Sequence, residues 1–186
     1  EKLDESQIEL LRQTGLDAGV LPHASCDREV WIVRHGRLID RRPSLRAGIM
    51  YHDLVNAVRR QIPANVSFHQ AKADGITPTP QGNTVRLSTG EEVTARLVVL
   101  ANGLNPKLRD SLGIELSTIS KAHSISIGFN MKPRGQGSFA FPALTVFPER
   151  PGQRLAYLTI FPTPQGMRAN LFGYWTWDDP AVRAFR

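Results

Sequence analysis

The sequence contains one cysteine, Cys26, among its 186 residues, so it cannot form an internal disulfide. It also lacks an apolar run of the roughly 18 residues that a membrane-spanning helix needs, and no signal-peptide pattern opens it. These absences exclude a disulfide-stabilised miniprotein and predict a cytoplasmic protein without a membrane span.

The sequence motifs of nucleophilic, metal-dependent and nucleotide-dependent catalysis are also missing. There is no GxSxG, no HExxH, no P-loop and no GxGxxG. The five histidines do not pair at the spacing of metal ligands on a helix, so we expect no metal site. The patterns therefore assign no catalytic residue, although His52 and His123 stand at the starts of predicted elements.

Lysine is scarce, and arginine supplies most of the positive charge behind the formal net charge of +6. The densest arginine group is Arg34, Arg37, Arg41, Arg42 and Arg46. Guanidinium groups suit bidentate contacts with phosphate, so a basic nucleic-acid-binding module is one alternative. Exposed aromatic residues do not alternate with these arginines as a base-stacking surface requires, and a solvated basic segment is the simpler interpretation. We expect no nucleic-acid partner.

The remaining composition is that of a globular protein, with 41% hydrophobic and 22% charged residues. Apolar spacing predicts helices over 3–14 and over 54–62, the second ending at Pro63. A hairpin is predicted around Gly36.

The other predicted strands share alternating or continuous apolar patterns. They cover 66–68, 85–87, a segment at Val93, 97–100, 125–131, 155–161 and 167–177. A last helix should begin at Asp179–Pro180.

These elements predict an α+β fold with two parts. Residues 1–118 should form an α/β part with a β-meander, and residues 119–186 an antiparallel sheet. The boundary is placed where turn-rich sequence gives way to long alternating strands.

The most informative stretch is LVVLANGLNPKLRDSLGIEL, residues 97–116. It predicts a buried strand, followed by a turn of small residues from Ala101 to Gly103 and then by a short helix. Such a turn allows a ligand or another backbone to approach closely.

This stretch resembles the second fingerprint of group A flavoprotein monooxygenases, the para-hydroxybenzoate hydroxylase-like family. Asn102 stands where the family has Asp, Gly103 matches its Gly, Pro106 replaces its Ser, and Leu108–Arg109 match its hydrophobic–Arg pair. Further upstream, Tyr51 stands at the start of the family's Arg/Gln-x-x-Leu helix.

The resemblance implies an FAD-dependent oxidoreductase, in which residues 1–118 are a partial FAD-binding domain and residues 119–186 are the antiparallel sheet of the substrate domain. NADH or NADPH would reduce the flavin, and a flavin hydroperoxide would hydroxylate an aromatic or similar small organic substrate. The implied cofactor-binding residues are Asn102, Gly103, Arg109, Ala73 and Tyr51. The implied substrate-binding residues are Phe141, Tyr157, Tyr174 and Trp175, although packing in the core would also account for such aromatic residues.

The family's GxGxxG and Gly-Asp motifs are absent, so we expect an internal fragment that is inactive alone. A homodimer is compatible with this interpretation. The same scaffold would suit a flavin-dependent halogenase or a prenyl-chain reductase, and a non-catalytic module is the alternative from another class.

Overall fold

The computed structural model describes residues 1–121, 123–135, 137–150 and 154–184. Contacts divide the chain into two compact units. The first, which we call the sheet unit, comprises residues 1–63 and 122–186, and the second, the meander unit, comprises Ala64–Lys121. Among the described residues, no helix has both the length and the apolar character that crossing a membrane requires.

The described residues of the sheet unit form four α-helices, one short 3-10 helix and seven strands. Its helices are α1 (Glu5–Gln13), α2 (Asp17–Val20), the 3-10 helix Leu21–His23, α3 (Tyr51–Arg59) and α5 (Pro180–Arg183). Its strands are β1 (Lys2–Leu3), β2 (Ser25–Arg34), β3 (Arg37–Gly48), β7 (Ile125–Met131), β8 (Leu144–Phe147), β9 (Leu155–Thr163) and β10 (Gly166–Gly173).

The seven strands form one mixed sheet in the order β1-β3-β2-β8-β9-β10-β7. Neighbouring strands are antiparallel except β2 and β8, which run parallel with Trp31 opposite Leu144. The α+β class is confirmed, and the four strands from residues 119–186, namely β7, β8, β9 and β10, pair antiparallel as predicted. The whole sheet is mixed because β2, which precedes residue 118, runs parallel to β8. Because β2 and β8 come from opposite sides of residue 118, the sheet includes strands from both predicted domains. The assignment of cofactor and substrate roles to those domains stays a prediction.

The predicted hairpin around Gly36 is confirmed and is longer than expected. Both turn residues, His35 and Gly36, have positive φ angles, 51° and 68°. Two consecutive residues of this kind form the turn whose twist matches that of paired strands. The turn thereby sets the pairing of β2 with β3.

The helix predicted over 3–14 begins at Glu5 instead, because Leu3 belongs to β1. Asp4 caps it, since its side chain accepts from the Gln7 backbone N–H while the Gln7 side chain accepts from the Asp4 N–H. This reciprocal arrangement satisfies two backbone donors at the helix start.

Two hydrophobic clusters form the core of the sheet unit. One joins the first helices to the end of β3 through Val20, Ile49 and Ala57. The other lies on one face of the sheet and contains Leu171, Trp175 and Val182. The predicted alternation of β7 is confirmed, since its apolar side chains Ile125, Ile127 and Phe129 pack against this second cluster.

The meander unit is a three-stranded antiparallel sheet with one short helix. Its elements are β4 (Ala73–Thr79), β5 (Gly82–Leu87), β6 (Glu92–Ala95) and α4 (Lys107–Ser111). The strands follow in chain order, which confirms the predicted meander. The short helix after Pro106 is confirmed as well.

Two strand predictions in this unit are wrong. Residues 66–68 and 97–100 are not in strands. Val66 is 52% exposed and Val99 is 78% exposed, although the continuous apolar run at 97–100 is typical of a strand buried on both faces. No described strand pairs with either segment, and an apolar run cannot become a buried strand without a neighbour.

Candidate functional site

A small pocket in the meander unit brings together two of the predicted cofactor-binding residues, Ala73 and Asn102. Its volume is about 200 Å³. Ala73 begins β4, whereas Asn102 comes from the turn before α4, so the two positions are 29 residues apart in sequence. The other lining residues are Lys72, Asp74, Asn105, Lys107 and Leu108. We call this the Asn102 pocket.

Hydrogen bonds within the turn hold the shape of the Asn102 pocket. The Asn102 amide donates to the Asn105 carbonyl oxygen at 2.9 Å, and the Asn105 side chain accepts from the Lys107 backbone N–H at 3.1 Å. Gly103 has a φ of 62°, a conformation that glycine adopts readily. A Cβ built at Gly103 would meet nothing within 4 Å, so the backbone there is open to an approaching ligand.

Two lysines give the Asn102 pocket its positive charge. The Lys72 ammonium lies 2.8 Å from Asp74 Oδ1, and this hydrogen bond is the main reason why the pKa of the Asp74 carboxyl is lowered. Lys107 forms none of the ion pairs found among the described residues. One lysine is therefore neutralised by a partner while the other leaves its charge available to a ligand.

Arg109, the third residue predicted from the same motif, lies in α4. Its Nε is buried and has no hydrogen-bond partner among the described residues. The cofactor-binding role that the resemblance implies for Arg109 therefore stays a prediction.

The sheet unit contains a larger and more polar cavity, of about 500 Å³. Tyr51, the third predicted cofactor-binding residue that lines a cavity, contributes to it from the start of α3. The other lining residues are Glu1, Met50, His52, Ser126, Gly128, Arg168 and Asn170. We call this the Arg168 cavity.

The floor of the Arg168 cavity is formed by two paired strands. Gly128 of β7 lies opposite Asn170 of β10, and Asn130 lies opposite Arg168. The Arg168 Nη1 donates to Asn130 Oδ1 at 2.9 Å. A Cβ at Gly128 would lie 2.5 Å from Arg168 Nη2 and 3.0 Å from Asn170 Oδ1, so the absence of a side chain at Gly128 makes room for both polar groups.

The predicted substrate-binding aromatic residues fall into different surroundings. Tyr157 stacks on Phe172 with a centroid distance of 5.4 Å, and Tyr174 meets Phe172 edge-on at 5.9 Å. Phe141 packs against Phe139 at 5.5 Å. Trp175 is only 8% exposed and belongs to the core cluster with Leu171 and Val182.

The aromatic stack and the Arg168 cavity share one face of the sheet. Phe172 pairs with Tyr157 on one side and with Ser126 on the other. Because side chains two residues apart in a strand point to the same face, Phe172, Asn170 and Arg168 lie in a row along β10. The opposite face of β10 is the core face.

The arginine group in β2 and β3 is mostly exposed, as a solvated segment would be, and three of its members also make contacts within the chain. The guanidinium carbon of Arg41 lies 4.1 Å from the centre of the Trp31 ring, and that of Arg34 lies 5.0 Å from the centre of the Phe147 ring. Arg42 Nε lies 2.5 Å from Asp40 Oδ2. The first two contacts place a guanidinium over the Trp31 ring and over the Phe147 ring.

Sequence reasoning missed Lys107, Arg168 and Asn170. A signal for Arg168 exists in the sequence, since it is a charged residue within an otherwise apolar or neutral strand. Its pairing with Gly128 is a property of strand register, which a single sequence does not reveal.

No protein-family model matches the sequence, and no curated protein matches it. Solved structures do match over nearly the whole chain. The 2-methyl-3-hydroxypyridine-5-carboxylic acid oxygenase aligns with a TM-score of 0.63 and 21% identity, over 96% of this chain and 49% of the oxygenase. PqsL of P. aeruginosa, in complex with 2-aminobenzoylacetate, aligns with a TM-score of 0.63 and 16% identity, over 99% of this chain and 51% of PqsL.

Tetracycline destructase Tet(55) aligns with a TM-score of 0.57 and 17% identity, over 97% of this chain and 48% of that enzyme. These neighbours are of the FAD-dependent monooxygenase type. The chain therefore has a flavin-monooxygenase-like fold and spans about half the length of the structures that it matches.

Proposed function

We propose that the chain is part of an FAD-dependent oxidoreductase of the monooxygenase type, which uses NADH or NADPH to hydroxylate an aromatic or similar small organic substrate. The observation that carries this proposal is the fold similarity, which extends over 96–99% of the chain to two oxygenase-type enzymes, the pyridine carboxylic acid oxygenase and PqsL. The Asn102 pocket lies at the turn for which the sequence resemblance implies a cofactor contact.

The residues of the Asn102 pocket fit part of an FAD molecule. Lys107 suits an anionic group, the Asn102 and Asn105 side chains offer polar contacts, and the Gly103 backbone leaves space beside the turn. A volume of about 200 Å³ has room for one ring or sugar and not for the whole dinucleotide. Ala73, Asn102 and Lys107 would hold that part, while the roles of Tyr51 and Arg109 are further elements of the proposal.

Bound FAD would supply the redox chemistry, because flavin that has been reduced by the nicotinamide cofactor reacts with molecular oxygen. This division of labour accounts for the absence of an acid–base pair in the sequence patterns. The protein's own task would be to bind and orient the substrate and to exclude water. The row of Phe172, Asn170 and Arg168 on one face of the sheet offers an aromatic surface beside polar groups for this task.

Two of the structural neighbours are described together with a ring compound that carries a carboxylate. One is the oxygenase named after 2-methyl-3-hydroxypyridine-5-carboxylic acid, and the other is PqsL in complex with 2-aminobenzoylacetate. We take this as support for a small, planar organic substrate. The substrate's identity is not part of the proposal.

The proposal is tested by flavin binding to the whole protein. The purified protein should be yellow or become so when FAD is added, and titration with FAD should quench the flavin fluorescence. The Lys107→Gln variant should bind FAD about two- to fivefold more weakly, because one partly exposed charge contact is lost. Lys121→Gln, a matched change outside the Asn102 pocket, should leave the affinity unchanged.

A whole protein that takes up no FAD under any of these conditions would refute the proposal. If Lys107→Gln and Lys121→Gln weaken FAD binding equally, the effect is one of net charge, and the pocket has no special role.

A further inference from the structure

We propose that the end of the β2–β3 hairpin binds the surface of a membrane that carries anionic lipids. The residues concerned are 34–42, which include the last residue of β2, the two-residue turn and the first part of β3. We call them the hairpin tip. They are separate from the residues on which the proposed function rests, and binding at a membrane surface needs no segment that crosses the membrane.

Two neighbouring apolar side chains are exposed at the hairpin tip. Leu38 is 42% exposed and Ile39 is 56% exposed. Leu38 pairs with Val33, whereas Ile39 lies at a register shift and has no residue opposite it in β2. The sheet therefore leaves both side chains in contact with water, and their transfer into the apolar part of a lipid interface is favourable.

Arginines flank these apolar side chains on both faces of the hairpin. Arg34 and Arg37 are opposite each other in the ladder, and Leu38 shares the other face with Arg41. Long cationic side chains can reach lipid phosphates while apolar neighbours enter the interface. The arrangement thus offers both kinds of contact that a surface-bound protein makes with an anionic bilayer.

Most of the positive charge at the hairpin tip has no carboxylate partner. Arg42 is paired, since its Nε lies 2.5 Å from Asp40 Oδ2. Arg34 and Arg41 lie over aromatic rings, which leaves their charges in place. Arg37 is exposed and forms none of the ion pairs found among the described residues.

Two acidic side chains outside the hairpin tip lie near it. Glu149 Oε1 is 3.3 Å from the position that a Cβ would take at Gly36, and Glu29 accepts a hydrogen bond from the Trp31 indole. Four arginines against Asp40 and Glu149 leave a net charge of +2 at the surface. The surface therefore keeps the sign that complements anionic lipids.

The same features disfavour two other partners. A nucleic acid would leave Leu38 and Ile39 in water, because aliphatic side chains do not provide the stacking surface that bases use. An added β-strand needs a regular open edge. The edge of β3 is interrupted by the register shift at Ile39 and by Pro43, which has no N–H.

The test is co-sedimentation of the whole protein with lipid vesicles. One kind consists of phosphatidylcholine alone, and the other is an equimolar mixture of phosphatidylcholine and phosphatidylglycerol. The protein should bind the mixed vesicles at least about tenfold more tightly, and salt should weaken this binding because it screens the attraction. Equal binding to both kinds of vesicle, or binding to neither, would overturn the inference.

A double variant, Leu38→Ser with Ile39→Ser, removes the apolar contacts and keeps every charge. It should bind the mixed vesicles about tenfold more weakly, because less apolar area enters the interface. Leu10→Ser is the matched control, since Leu10 is 59% exposed in α1, and it should bind like the wild type. A double variant that binds as tightly as the wild type would overturn the inference.

Arg37→Gln tests the electrostatic contribution. It should weaken binding to the mixed vesicles about three- to fivefold, because one arginine near an anionic surface is lost. Arg134→Gln removes an exposed arginine outside the hairpin tip and should have a smaller effect. Equal losses in the two variants would assign binding to the net charge of the protein and overturn the role of the hairpin tip.

Two competitors distinguish a lipid surface from other anions. Glycerol phosphate, which carries the headgroup chemistry without the bilayer, should not displace the protein from mixed vesicles at matched ionic strength. Displacement by it would indicate a site for a soluble phosphate and overturn the inference. A DNA duplex that the wild type and the Leu38/Ile39 double variant bind equally, and that displaces both from the vesicles, would favour a nucleic-acid partner instead.

Discussion

The sheet unit and the meander unit differ in how far their apolar side chains are buried. Every described residue that is buried lies in the sheet unit. In the meander unit, Leu97, Val99, Leu104 and Ile119 are between 76% and 98% exposed. The comparison teaches that an apolar strand pattern produces burial only where a second surface lies against it.

The difference has an energetic consequence. Burial of apolar area is the main favourable contribution to folding, whereas the hydrogen bonds of a small meander contribute little net free energy. We therefore expect the sheet unit to provide most of the chain's free energy of unfolding. Three pairs of substitutions, each with one change in either unit, test this difference between the units.

The largest effect should come from Phe161→Ala in the sheet unit. Phe161 is 1% exposed, and removal of a buried phenyl ring costs about 3–5 kcal/mol of the free energy of unfolding. The matched change in the meander unit is Val99→Ala, which should cost less than about 0.5 kcal/mol because the side chain is exposed. Urea denaturation followed by circular dichroism measures both.

A large loss of the free energy of unfolding in Val99→Ala would contradict the expected difference between the two units. It would mean that another surface covers the 97–100 segment in solution.

The second effect concerns Asp27, a carboxyl in the sheet unit that is 6% exposed and whose Oδ1 has no hydrogen-bond partner among the described residues. Burial raises its pKa from 3.8 to about 6, although the charges of Arg46 and Lys2 act in the opposite direction. Between these two pH values the folded chain holds a proton that the unfolded chain releases. Stability should therefore fall as the pH rises from about 4 to about 6.

Asp27→Asn should remove this decline and raise the free energy of unfolding at pH 7 by about 1–3 kcal/mol. Urea denaturation over a series of pH values measures the effect. Asp74 in the meander unit is the matched control, because its exposed carboxyl has a lowered pKa and Asp74→Asn should cause only a small change of opposite sign. An unaltered pH dependence in Asp27→Asn would contradict the assignment to Asp27.

The smallest effect should come from the helix starts. Asp4→Ala removes the cap of α1 and should cost about 1 kcal/mol. Asn105→Ala removes the side chain that accepts from the Lys107 N–H before the five-residue helix α4. Because that helix is short and exposed, this change should cost only a few tenths of a kcal/mol, and thermal denaturation of both variants measures the difference. Equal losses would indicate that the meander unit contributes to global stability as much as the sheet unit does.

Much of the fold could be predicted from local patterns. The hairpin at Gly36, the alternation of β7 and the meander follow from turn chemistry and side-chain period. A helix before Pro63 was predicted as well, but it spans Tyr51–Arg59 and therefore ends before the proline is reached. The wrong predictions, at 66–68 and 97–100, share one cause. The period of a segment indicates which structure it can adopt, but strand formation also requires a hydrogen-bonded neighbour.

The candidate site, like the fold, could be predicted from the sequence only in part. Ala73 and Asn102 were selected from the sequence and line one pocket. The sequence does not separate Trp175 from Tyr174, although the first belongs to the core and the second is 48% exposed. Whether each of these two aromatic side chains faces the core or the solvent depends on the path of the backbone directly after the end of β10.

The sequence alone determined the local elements, the meander and the turn at Asn102, because these depend on interactions between residues close along the chain. The tertiary structure decided the parallel pairing of β2 with β8, the exposure of residues 97–100 and the cavity at Arg168. Each of these depends on register or contact between distant segments. A residue without a side chain, Gly128, and a charged residue 40 positions later form one site only because two strands pair in a particular register.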